Sequence, residues 1–175
     1  MKILVLLKGD QRDEFILQYA RDMFSQENAE FHLLNIVSVN DEVPLDMKGQ
    51  VLKNCTEFDL SGYHKQAQAN LQELNKLQGD DVAGAHALVG NRLVIVEKFA
   101  EDNQIEFVVG GARQTSAMED AFSSSFASRV LEAVKVPYLT VKCEHPDFKM
   151  NRIALVREFQ SPKQENLGFL KRILE

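Results

Sequence analysis

Short, continuous apolar runs that alternate with amphipathic stretches limit this chain to very few folds. Residues 3–7, 31–37, 85–89, 107–109 and 138–142 are such runs. Between them, apolar side chains recur at helical spacing. Phe15, Ile16, Tyr19, Ala20, Met23 and Phe24 share one face of residues 13–24. Tyr63, Ala67, Leu71 and Leu74 do so in 62–77, and Ile95, Phe99 and Ala100 in 92–103. Phe126, Ala127, Val130, Leu131 and Val134 do so in 126–135. A strand that is apolar throughout, rather than at every second residue, is covered on both faces, as in a parallel sheet. Parallel strands need long crossovers, and the helical stretches supply them. The pattern predicts a three-layer α/β sandwich over residues 1–143, built on a five-stranded, mostly parallel sheet. The polar residues 79–84 read as a turn before the third strand. Residues 38–60, with Pro44 and Gly49 and no clear period, read as a mobile loop or a short broken helix.

Composition narrows the function classes. Of 175 residues, 45% are hydrophobic and 26% charged, so the chain can bury a core without staples. The formal net charge of −6 and the lack of a basic patch argue against nucleic acid or an anionic membrane surface as partner. No apolar run approaches the roughly 18–20 residues of a membrane span. The opening MKILVLLKGD reads as a buried first strand, because its apolar run is too short for a secretion signal and acidic residues follow at once. Cys55 and Cys143 lie far apart in no metal-like spacing and read as free thiols in a reducing cytoplasm. The four histidines, His32, His64, His86 and His145, show no zinc spacing, and those in strands read as packing residues. No nucleophile elbow, phosphate-binding G-x-x-x-x-G-K-[ST] loop or dinucleotide fingerprint is present, and no catalytic or metal-binding residue is assigned.

The remaining chemistry lies in residues 107–142: an apolar strand, Gly110-Gly111, a polar loop with Arg113, Glu119 and Asp120, then Ser123, Ser124 and Ser125 at a helix start, and a Pro-led last strand. A small-residue loop and a helix N-terminus at the mouth of a parallel sheet are where nucleotide phosphates bind. The serines also suit helix capping. Residues 151–175 repeat the order of the N-terminus. An apolar strand at 153–156 leads to a turn with Ser161-Pro162. Leu167, Leu170, Ile173 and Leu174 then recur at helical spacing. With 144–150 as a linker, this reads as the start of a second repeat, or else as a C-terminal extension docked on the first domain.

In KILVLLKGD, FHLLNIV, VGN and FVVGG…SSSFASRVLEAVKVPYLTVK, taken in this order, the chain resembles the universal stress protein family. The resemblance implies an adenine nucleotide alpha hydrolase-like fold. ATP-binding members share a G-x2-G-x9-G-[ST] loop. Here Gly111, or Gly110, takes the first position, Gln114 the second, Ser124 the third and Ser125 the fourth, so one glycine of three is kept. Lys8 stands where ATP binders have an aspartate, and Ile36 takes the other base-side position. The resemblance thus gives Lys8, Ile36, Gly110, Gly111, Arg113, Ser124 and Ser125 as the nucleotide-side residues, for ATP or AMP with Mg. Two carboxylates, Glu119 and Asp120, stand where basic residues are common. Glu158 takes the aspartate-like place in the tail. The expectation is a cytoplasmic stress-response domain with a degraded nucleotide loop, acting through dimerisation and protein contacts. The alternative is an ATP- or AMP-binding module with slow or no hydrolysis. Dimerisation is expected through the last strand, Tyr138, Leu139, Thr140, Val141 and Lys142, whose place a second repeat would take in a tandem protein.

Overall fold

A computed structural model of the chain describes residues 1–25, 27–111 and 126–141. The elements run β1 (Lys2–Leu7), α1 (Asp13–Met23), β2 (Glu30–Ser38), α2 (Ser61–Lys76), β3 (Val82–Gly90), α3 (Arg92–Asn103), β4 (Phe107–Gly111), α4 (Phe126–Ala133) and β5 (Tyr138–Val141). They form one five-stranded sheet in the order β3-β2-β1-β4-β5, and all four pairings are parallel. Lys142 and residues 144–175, with the linker and repeat expected there, lie outside the described residues.

The continuous apolar runs produce the two-sided burial expected of them. On one face Ile3, Val5, Leu7, Phe31, Leu33 and Val109 pack against Ile16, Leu17 and Ala20 of α1 and Leu74 of α2. On the other, Leu4, Leu6, Leu34 and Val108 pack against Ile95, Val96 and Ala100 of α3, Val130 of α4 and Val134 just after it. Each fully buried Leu, Ile or Val of this kind contributes roughly 1.5–3 kcal/mol of hydrophobic free energy. The α3 layer starts cleanly because Asn91 caps it, its side-chain oxygen accepting from Leu93 N and Val94 N at 3.1 and 3.2 Å.

Two local expectations are corrected. Residues 82–84 belong to β3 rather than to a turn. Gly84 does not break the strand. The His86 ring lies over it, with Nε2 3.2 Å from the place of a Cβ at Gly84. The β2–β3 register shifts one step away, between Phe31 and His32. Residues 39–60 form neither a helix nor a featureless loop. Asp46 holds a tight turn, its carboxylate accepting from Lys48 N and Gln50 N. Antiparallel bridges link Leu45 to Val51 and Gln50 to Gly90. The segment therefore caps the C-terminal end of β3, and Gly90 is glycine because the Gly49 carbonyl occupies the place of its side chain. Periodicity could not reveal this, because a turn held by one carboxylate has no repeat.

Candidate functional site

The strand order reverses between β1 and β4, so a crevice opens at the C-terminal ends of these two strands, the place where open α/β sheets bind ligands. Leu6 is opposite Gly110, and Leu7 is opposite Asn35. Lys8, Ile36, Gly110 and Gly111 thus converge on one rim. Arg113, Ser124 and Ser125, with Gln114, Glu119 and Asp120, lie outside the described residues.

The β1–α1 turn is closed by the chain's own carboxylate. Gly9 takes a left-handed conformation, φ +80°, which lets the backbone amides of residues 8–10 turn inward. Asp13 at the start of α1 accepts from Lys8 N at 2.9 Å, Gly9 N at 2.6 Å and Asp10 N at 3.3 Å. It is only 3% exposed. Burial raises its carboxyl above the usual carboxylate range, and the N–H donors pull against that rise without cancelling it. Asp10, by contrast, is held below that range by its hydrogen bond to Arg12, with the nearby Lys8 charge acting in the same direction.

Beside this turn, a polar bridge crosses the sheet end. Asn35 donates to the Leu7 carbonyl at 3.0 Å, and Asn70 of α2 donates to the Asn35 side-chain oxygen at 2.8 Å. Asn70 also lies against Gly9, where a Cβ would come within 2.7 Å of its Cγ. Asn35 is one of two polar residues inside FHLLNIV, the other being His32, and its break in the apolar run was the available signal for this bridge. Asp13 and Asn70 carried no such signal in the sequence.

The two glycines of β4 face side chains of the same domain. The Tyr138 hydroxyl occupies the place of a side chain at Gly110. A Cβ on Gly111 would lie 2.7 Å from Ile16 Cδ1. Burial raises the Tyr138 phenol above its usual range, and the positive charge of Arg92 partly offsets this. Ile36 packs in the layer under α3 with Leu34 and Ile95. A cavity of about 600 Å³ opens beside Gly9, and Asp10, Asp13, Glu14 and Glu73 line it together with Lys76. Lys76 is itself paired with Glu73 at 2.7 Å. The lining is therefore acidic. No group of three or more metal-ligating side chains occurs among the described residues.

This arrangement, a parallel three-layer sandwich with its crevice at the β1/β4 switch point, is the adenine nucleotide alpha hydrolase-like class of α/β domain. The chain belongs to the universal stress protein family, whose model matches residues 1–142. Its fold is similar to that of the hypothetical protein MJ0577, at 19% identity and a TM-score of 0.56, covering 82% of this chain and 96% of that one. It is similar to a universal stress protein from Pseudomonas aeruginosa, at 16% identity and a TM-score of 0.55, covering 81% of this chain but 47% of that one. It is also similar to a universal stress protein in complex with cAMP, at 13% identity and a TM-score of 0.52, covering 81% of this chain and 95% of that one. No curated protein sequence matches the chain.

Proposed function

We propose that this is a cytoplasmic stress-response domain that acts through contacts with other protein surfaces rather than through a bound nucleotide. The observation that carries the reading is the occupation of the space at Gly110 and Gly111 by Tyr138 and Ile16. A glycine serves a phosphate only if the space beside it is left for the ligand. The acidic cavity beside Gly9 and the Asp13 carboxylate on the turn amides also disfavour a polyphosphate, since like charges at a few ångströms repel. The residues of the described rim therefore do not fit ATP or AMP, and no chemical step is assigned to it.

The contact surface in this reading is β5, which ends the sheet and pairs only with β4 among the described residues. An open strand edge invites a second strand, and a two-fold pairing of β5 with its counterpart satisfies both. In a tandem protein a second repeat would take that place. The Pseudomonas aeruginosa protein, of which this chain covers 47%, is a relative long enough for that arrangement. Sedimentation equilibrium tests the reading: the wild type is expected as a dimer. Thr140→Arg, at an exposed position of β5, is expected to shift it to monomer by setting like charges face to face. A wild type that stays monomeric at high concentration refutes the edge pairing.

The second reading, an ATP- or AMP-binding module with slow or no hydrolysis, is favoured by the neighbour solved with cAMP. Lys8, Ile36, Gly110, Gly111, Arg113, Ser124 and Ser125 would then line the ligand, and Mg would offset the phosphate charge. A nucleotide-dependent rise in melting temperature separates the two.

A further inference from the structure

On the α3 side of the sheet, far from the rim, His32 of β2 is 8% exposed, and its Nε2 has no hydrogen-bond partner among the described residues. Phe99 of α3 meets the His32 ring edge-on at 6.1 Å between centroids and the His86 ring edge-on at 5.1 Å. His86 belongs to the edge strand β3 and leans over Gly84, the residue directly opposite His32 in the sheet. The two imidazoles are therefore neighbours across the β2–β3 pair, joined by one aromatic ring. Among the described residues the carboxylate of Glu30 is 3.7 Å from Nε2, too far to accept a hydrogen bond, and it is half exposed. Lys2 of β1 adds a positive charge nearby. Helix α3 contributes the neutral Phe99 ring.

We propose that the His32–Phe99–His86 contact is an acid-sensitive clamp, which fastens the edge strand β3 and helix α3 to the sheet at neutral pH and releases them when the imidazoles take up protons. Neutral His32 fits an apolar layer. Protonated His32 would place a charged N–H there with only the half-exposed Glu30 carboxylate at 3.7 Å to answer it, facing a second imidazole and an ammonium. Burial already lowers His32 below the usual imidazole range, and Lys2 and His86 act in the same direction against Glu30. His86 is exposed as a residue, but its packing against Phe99 and the strand lowers its imidazole as well. A group whose value falls on folding binds more protons when released. Stability is therefore full above the released value of 6.5 and is lost as pH falls below it, until the folded value is passed. Local opening of an edge strand and its covering helix needs less free energy than global unfolding.

Amide hydrogen exchange from pH 7.5 to 5.5, expressed as protection factors, tests the clamp. Protection in β3 and α3 is expected to fall by up to tenfold per pH unit for each linked proton, with β1 and β4 unchanged. His32→Leu, which keeps the apolar fit and removes the titrating ring, is expected to flatten the profile. Uniform protection across this range in the wild type overturns the proposal, as does a His32→Leu profile as steep as the wild type's. NMR titration of the His32 ring in the intact protein gives an independent reading: a midpoint below 6.5 supports the clamp, and a midpoint at or above it refutes it.

Discussion

Asp13→Ala should be the most damaging single change at the crevice rim. The Asp13 carboxylate takes N–H groups from three successive residues, two of them at 2.9 and 2.6 Å and the third at a longer 3.3 Å. A hydrogen bond to a charged group is worth about 1.5–3 kcal/mol net. Counting the two short bonds gives about 3–6 kcal/mol. The turn is only partly buried, so water entering the vacated space should recover some of this, and about 3 kcal/mol is the expected loss. Against a total stability of roughly 5–15 kcal/mol for a domain of this kind, that is a large share. Urea unfolding measures it: the midpoint should fall while the slope stays constant. Asp13→Asn keeps one acceptor oxygen but turns an N–H2 group toward backbone donors, so it should lose about half as much. Glu14→Ala, one residue along on the exposed side, should stay within about 0.5 kcal/mol of the wild type. An Asp13→Ala protein within about 1 kcal/mol of the wild type, with the slope unchanged, would show that the carboxylate does not organise this turn.

Two further changes probe separate parts of the structure. Gly110→Ala places a methyl group where the Tyr138 hydroxyl lies, so overpacking should cost about 1–3 kcal/mol by thermal or urea unfolding. Tyr138→Phe in the same background should restore part of it. The Arg21–Asp81 pair joins α1 to the start of β3 by two bonds of 2.7 Å. Arg21 holds Asp81 below its ordinary value of 3.8. A depressed carboxylate contributes stability that is present above 3.8 and lost as pH falls through the folded value. Arg21→Ala should therefore lose up to about 1 kcal/mol at neutral pH, since the pair is about one-third exposed. The difference from wild type should vanish in acid.

The layers of this fold were written in the chain because burial on both faces leaves an unbroken apolar run, and helices that cover such strands repeat at 3.6 residues. The strand order and the place of β5 at the edge follow the family pattern that the residues 107–142 carry. The rim was legible only in part. Lys8 follows β1 as expected, but Gly110 and Gly111 belong to β4 rather than to a turn after residue 109, and the neighbours of all three come from distant segments. Asn70 lies on α2, Tyr138 opens β5, and Asp13 looks in the sequence like any acidic residue in a first helical turn. No spacing rule connects these positions to Gly9 or Gly110. The same holds for His32 and His86, whose juxtaposition depends on a parallel pairing with a register shift beside it.

In the proposed reading the crevice holds no nucleotide, because Tyr138 and Ile16 occupy the space at Gly110 and Gly111. A thermal-shift titration of the full chain with Mg-ATP, ADP, AMP and cAMP tests that claim most directly. A ligand at one hundred times its dissociation constant would stabilise the domain by about 2.7 kcal/mol. No shift is expected with any of the four at millimolar concentration. A saturable shift with one of them, abolished by Gly111→Val, would contradict the reading and establish the crevice as a working nucleotide site.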